Sequence, residues 1–210
     1  MVRTTRPPDW LAGALRPRIF RVDAALVVHD SFYFGPPNRF TPEQWRSLRE
    51  PLPTEGIPRV EGWLLASSAS AHVDAVARYG RAVKDAARRH ATSLAGSIYS
   101  WVRPRICADD RTVCAFSWSD GYAATKATLD GLASESQGTL ISDLDQHWEI
   151  EIVRYGADFW FGERDPDSEQ PPRTCLVDAE TVALEALAAA RALDELLARL
   201  REQDADLWSI

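Results

Sequence analysis

The longest helical periodicity lies near the C-terminus, where Val182, Ala186, Ala189, Leu193, Leu196 and Leu200 recur behind Asp178. The spacing predicts a helix capped by Asp178 and running to about Arg201, with one apolar seam and an alanine-rich middle that permits close packing. A second helix is predicted from Ser70, with Val73, Val76, Gly80, Val83, Ala87 and Leu94 on its seam. Thr41-Pro42-Glu43-Gln44 combines an N-cap, a proline at the first helical position and the glutamine of a capping box, so a short helix through Leu48 follows. Another is expected from about Ser119 to Ser134.

Strand-like segments alternate with these helices. Ile19 to Phe34 is mostly β-branched, aromatic or aliphatic and breaks at His29-Asp30-Ser31, which predicts one bent strand or two short ones. Val60 to Ala66, Ile98 to Cys107 and Thr112 to Trp118 read as strands, with Pro104 assigning its strand to an edge or a bulge. Trp148 to Tyr155, a Gly156-Ala157 turn and Phe159 to Arg164 read as a hairpin with Trp148, Ile150, Ile152, Phe159 and Phe161 inward and Glu149 and Glu151 outward. Thr174 to Val177 adds a short strand. This order predicts an α+β fold: a mainly antiparallel sheet with packed helices, including the long C-terminal one.

A chain of 210 residues can bury one sizeable core. Residues 1–17, with Pro7, Pro8 and Pro17, read as an N-terminal arm that is ordered only where Trp10, Leu11 and Leu15 dock. Residues 18–210 read as a single α+β domain, and Pro51, Pro53, Gly56 and Pro58 make 51–58 the place where a weak boundary would fall. Hydrophobic residues at 45% and charged residues at 26% exclude wholesale disorder. Cys107, Cys114 and Cys175 have no CxxC spacing and are odd in number, which suits a reducing compartment. With no apolar stretch behind Arg3 and Arg6, and no run near the roughly 18 apolar residues of a membrane span, the expectation is a cytoplasmic protein with no membrane association.

Charge changes the picture. Residues 119–210 carry 20 Asp and Glu against 7 Lys and Arg, whereas residues 1–118 carry 11 against 17. Within the acidic part, Asp143, Asp145, His147, Glu149 and Glu151 recur every second residue, a period that places all five on one face of an extended strand. Three readings fit: the wet face of a half-buried sheet, a surface for a basic partner, or two carboxylates gathered with His147 around a divalent cation. Like charges along one face repel, and a basic partner would relieve that cost. Trp160, on the neighbouring strand, joins the candidate binding set.

The basic half offers candidate phosphate ligands. Arg78 and Arg81 lie away from the seam of the Ser70 helix, and Arg103 and Arg105 alternate with Tyr99 and Trp101. An ordinary solvated helix face, and arginines beside core aromatics, account for the same pattern. A net charge of −7 argues against nucleic acid as the principal partner. There is no GxSxG elbow, HExxH, P-loop lysine motif or GxGxxG, and His29, His72, His90 and His147 are too dispersed for a zinc site. No catalytic residue, metal ligand or cofactor is therefore assigned, and Cys114 and Cys175, in apolar strands, read as inert thiols.

The segment Asp145-Gln-His-Trp-Glu-Ile-Glu-Ile, followed by a glycine turn, Phe159-Trp160-Phe161 and Asp165-Pro166-Asp167, resembles the D-x-x-W-E strand-turn-strand of small bacterial immunity proteins that neutralise polymorphic toxins. The resemblance implies a single-domain inhibitor that occludes a cognate toxin and performs no chemistry. Together these features lead to an expectation of a non-catalytic protein-binding module, an immunity or inhibitor protein whose acidic C-terminal face meets a basic toxin or nuclease. The alternative is a metal-dependent enzyme acting on nucleic acids or nucleotides through the 143–151 stripe.

Overall fold

A computed structural model of the chain describes residues 7–35, 41–94, 97–116, 121–145 and 148–204. The elements are β1 (Phe20–Val27), β2 (Ser31–Tyr33), α1 (Pro42–Ser47), β3 (Arg49–Pro51), β4 (Trp63–Leu65), α2 (Ala66–Ala69), α3 (Val73–Arg89), β5 (Val102–Ala108), β6 (Arg111–Cys114), α4 (Tyr122–Ala133), β7 (Gly138–Asp145), β8 (Trp148–Tyr155), β9 (Asp158–Arg164), β10 (Arg173–Asp178) and α5 (Ala179–Gln203). The pairs β1–β4, β2–β3, β5–β6, β7–β8, β8–β9 and β9–β10 are all antiparallel, so the fold is α+β. No helix among the described residues is long and apolar enough to cross a membrane.

Several elements differ in extent from the sequence pattern. The Ser70 helix is preceded by α2 and a 3-10 turn at Ser70–His72, and α3 stops at Arg89, short of Leu94. Tyr99 lies in a 3-10 turn, Ile98–Ser100, and only from Val102 is the chain a strand. Pro104 does not mark an edge, because β5 has β1 and β6 as neighbours. The irregularity it foreshadowed is a register shift between Ile106 and Cys107. The next strand, expected through Trp118, ends at Cys114, before Ala115 and Phe116; Trp118 and the expected helix start at Ser119 lie outside the described residues.

The chain forms two compact units: residues 1–24 with 103–191, and residues 25–102 with 192–210. It passes between them inside β1, at the start of β5 and inside α5.

The first unit contains the sheet β10-β9-β8-β7. Directly opposed residues in an antiparallel pair share a face. The register therefore aligns Ile152, Phe161 and Cys175, and likewise Phe159 and Val177, on one face, and all of these are buried. Phe20 of β1 packs there, its ring centroid 5.3 Å from that of Phe161. On the opposite face the arm docks. A Cβ on Gly162 would lie 2.3 Å from Leu11 Cδ2 and 2.4 Å from Trp10 Cζ3, so only glycine lets the arm approach this closely. Leu11 is fully buried, whereas Leu15 is exposed and contributes its carbonyl, which accepts from the Leu176 amide at 3.1 Å. The Tyr155–Asp158 pair closes β8 to β9 through Gly156-Ala157, with Gly156 at φ 65°.

Asp178 Oδ1 accepts from the Thr181 amide at 2.8 Å, the cap expected for α5. Along that helix Val182, Ala186, Ala189, Leu193, Leu196 and Leu200 are all buried, which confirms the seam.

In the second unit, Ala25 and Val27 of β1 pair with Leu65 and Trp63. Helix α3 buries Val73, Val76, Tyr79, Gly80, Val83 and Ala87, and α1 has the full Thr41–Gln44 capping box. Tyr33 stacks on Trp45 at 4.3 Å, and Phe34 stacks on His90 at 3.6 Å. The Tyr79 hydroxyl accepts from the His29 amide at 3.1 Å, and burial pushes its pKa up to about 12.

Candidate functional site

Asp143, Asp145, Glu149 and Glu151 do not share one extended strand. The chain reverses after Asp145, so Asp143 and Asp145 lie on β7 while Glu149 and Glu151 lie on β8. His147 is outside the described residues. The register then sends the described carboxylates to different faces: Asp143 stands opposite Ile150, whereas Glu149 and Glu151 stand opposite Leu144 and Ser142, and the Asp145 backbone pairs with Trp148. A two-residue period across the whole segment cannot survive a hairpin turn, which resets the side-chain alternation between the two strands.

Burial sorts the same residues further. Asp143 is exposed, but Glu151 retains only 9% of its surface, so it is not the outward carboxylate expected. Glu149 accepts from Arg164 Nε at 2.5 Å across the β8–β9 pair, and the Arg164 guanidinium lies 4.6 Å from the centre of the Trp10 ring. Glu149 is thus part of the packing beneath the arm. Trp148, expected inward, is 37% exposed. Trp160 is half-buried on β9, opposite Val153 and Leu176, with all of β8 between it and β7.

What remains accessible is the end of β7. Ser142, Asp143 and Leu144 are consecutive exposed residues, and Leu144 keeps 66% of its surface. β7 is also the terminal strand of its sheet. The other terminal strand, β10, is engaged by the arm through the Leu176–Leu15 hydrogen bond. The sequence signal for β7 is Thr139-Leu140-Ile141 after Gly138, an apolar and β-branched run ahead of the carboxylates.

A buried ion pair, not foreseen from the sequence, lies on the core face at the end of β9. Glu163 is 1% exposed, accepts from the Ala115 amide at 2.6 Å and pairs with Arg173, its register partner on β10. Burial raises its pKa above the ordinary 4.5, opposed by the Ala115 and Phe116 amides and by Arg173. The Arg173 guanidinium also lies 5.7 Å from the centre of the Trp148 ring. Glu163, Arg173, Trp148 and Arg164 line a cavity of about 400 Å³ together with Asp165 and Ser168 of the following loop. Among the described residues, no three His, Cys, Asp or Glu side chains are grouped so as to hold a metal ion.

The basic residues separate as well. Arg78 and Arg81 belong to the second unit, where Arg78 donates to the Glu55 carbonyl at 2.8 Å and Arg81 to Gln203 Oε1 at 3.5 Å. Arg103 and Arg105 belong to the first unit and are only 9% and 7% exposed, with Arg105 donating to Thr112 Oγ1 at 2.8 Å. Burial at this level makes the β5 pair structural cations rather than an open phosphate groove.

Burial pushes the Cys114 thiol well above its ordinary value, with Glu163 adding to the shift, and pushes Cys175 up to about 12. The thiolate is the reactive form, so both should resist a thiol-reactive disulfide reagent at pH 8 in the native protein and titrate fully only in denaturant. Half-buried Cys107 should react first. Reaction of Cys114 or Cys175 at the unfolded rate under native conditions would contradict this assignment.

No family model, curated protein or solved structure matches this chain.

Proposed function

We propose that this protein is a non-catalytic binding module of the immunity or inhibitor type, acting on a basic protein partner through the acidic end of β7. The observation that carries this reading is the end of β7, the terminal strand of its sheet, where Asp143 and Leu144 are both exposed, while the arm engages the opposite terminal strand. An exposed apolar side chain and an exposed carboxylate on one strand combine area to bury with a charge that steers a basic surface. The excess of acidic residues across 119–210 extends the same field. A toxin or nuclease whose cleft holds phosphate has the complementary charge.

The test is capture on the immobilised protein at low ionic strength, followed by kinetics with the purified captured protein. The reading expects a basic protein whose association rate falls as salt rises and falls several-fold for Asp143→Lys, since exposed charges act mainly on association. An association rate unaffected by salt and by Asp143→Lys would refute it, as would failure to retain any basic protein.

A further inference from the structure

We propose that the outer face of α5 pairs with the same face of a second copy of this chain, the two helices running antiparallel about a two-fold axis level with the Glu185–Ala186 peptide. This surface is distinct from the end of β7 and needs no partner of another kind.

The buried seam of α5 occupies one side of the helix. At about 100° per residue, Glu180, Leu184, Leu187 and Arg191 fall within roughly 60° of one another on the other side. All four are exposed, and Leu184 and Leu187 keep 64% and 43% of their surface. Their spacing of four, three and four residues is that of a coiled-coil seam, the repeat that holds one stripe of a helix against a neighbouring helix. α5 thus carries two stripes with leucines, and its own chain covers one. Ala183 and Ala188 flank the outer stripe and are small enough to let a second helix approach closely. The whole stripe lies in the part of α5 that belongs to the first unit.

The order of residues along the stripe selects the occupant. Leu184 and Leu187 lie at equal distances either side of the Glu185–Ala186 peptide, and so do Glu180 and Arg191. One two-fold axis at that point therefore sets Leu184 against Leu187 of the second copy and Glu180 against Arg191 of the second copy, each contact made twice. A parallel pair would oppose Glu180 to Glu180 and Arg191 to Arg191, and like charges facing across an interface repel. Among the described residues neither Glu180 nor Arg191 has an ionic partner in its own chain. A purely basic or purely acidic helix would match one end of the stripe; a second copy matches both. The contact spans about three turns of helix and buries less than the roughly 1,200 Å² of a standard interface, so the dimer forms at high micromolar rather than nanomolar concentration.

Sedimentation equilibrium of the full chain from about 5 µM to about 1 mM tests this. The parent should pass from monomer to dimer and no further, because a two-fold contact closes on itself. Leu184→Asp should remain monomeric throughout while keeping the parent's circular dichroism. Glu180→Arg and Arg191→Glu should each weaken dimerisation by at least about fivefold, since each replaces two ion pairs with two like-charged contacts. An equimolar mixture of those two variants should dimerise within about twofold of the parent, because unlike charges then face each other at both ends. These substitutions lie at exposed positions, so the charge exchange reads the contact even if Leu184→Asp fails to fold. A parent that stays monomeric or grows beyond a dimer, a dimer unmoved by Leu184→Asp, or a mixture that associates no better than its two components overturns the proposal.

Discussion

Leu193→Asp should leave a chain that does not fold at ambient temperature, or one with its melting point depressed by tens of degrees. Leu193 is fully buried in the middle of the α5 seam, flanked along it by Ala189, Leu196 and Leu200, all buried. Truncating such a residue costs about 2–5 kcal/mol, and an unpaired carboxylate in its place adds a desolvation cost of similar size. Total stabilities of roughly 5–15 kcal/mol cannot absorb that comfortably. Chemical denaturation followed by circular dichroism measures it, with Leu193→Ala as the milder companion. A midpoint for Leu193→Asp equal to that of the parent would mean the seam does not pack as described. The exposed Leu184 on the same helix is the control, and Leu184→Asp should change stability by no more than about 0.5 kcal/mol.

Arg173→Ala should be the next most damaging change, because it leaves the Glu163 carboxylate buried without its cation. Removing one partner of a buried pair costs about 3–5 kcal/mol. Arg173 is partly exposed and the Ala115 amide still donates to Glu163, so the lower end of that range applies. The pH dependence has a definite sign. Since burial raises the Glu163 pKa above 4.5 in the folded state, the folded chain holds this proton more tightly than the unfolded one. Its contribution to stability is fully present below pH 4.5 and is lost as pH rises through the folded value. The stability advantage of the parent over Glu163→Gln should therefore be largest at acid pH and shrink toward neutrality. In Arg173→Ala, with the opposing cation gone, the loss should extend to higher pH. Urea midpoints of the three proteins from pH 4 to pH 8 test this. An advantage of the parent that grows with pH would show that the carboxylate is stabilised, rather than strained, by its surroundings.

Glu149→Lys with Glu151→Lys would be a surface change on a strand with both carboxylates outward, but the fold makes it a disruptive one. Glu149 is the partner of Arg164 beneath the arm, and Glu151 is nearly sealed.

The sequence by itself determined what depends on neighbours close along the chain. The α5 seam and its Asp178 cap, the Thr41–Gln44 capping box, the Gly156-Ala157 hairpin and the α+β character were all legible, because turn chemistry, capping and hydrophobic period act over a few residues. Tertiary structure alone decided what depends on partners far apart in sequence. A two-residue period is silent about where a strand turns back, so the split of Asp143 from Glu149 and Glu151 needed the β7–β8 register. Gly162 reads in the sequence as a weak spot in a strand, and only the docked arm shows why no side chain fits there. Glu163 and Arg173 look like ordinary surface charges until β9 and β10 pair and bury one beside the other. Which terminal strand of the sheet the arm engages follows from the path of the arm, a property of the assembled fold to which no local pattern of residues points.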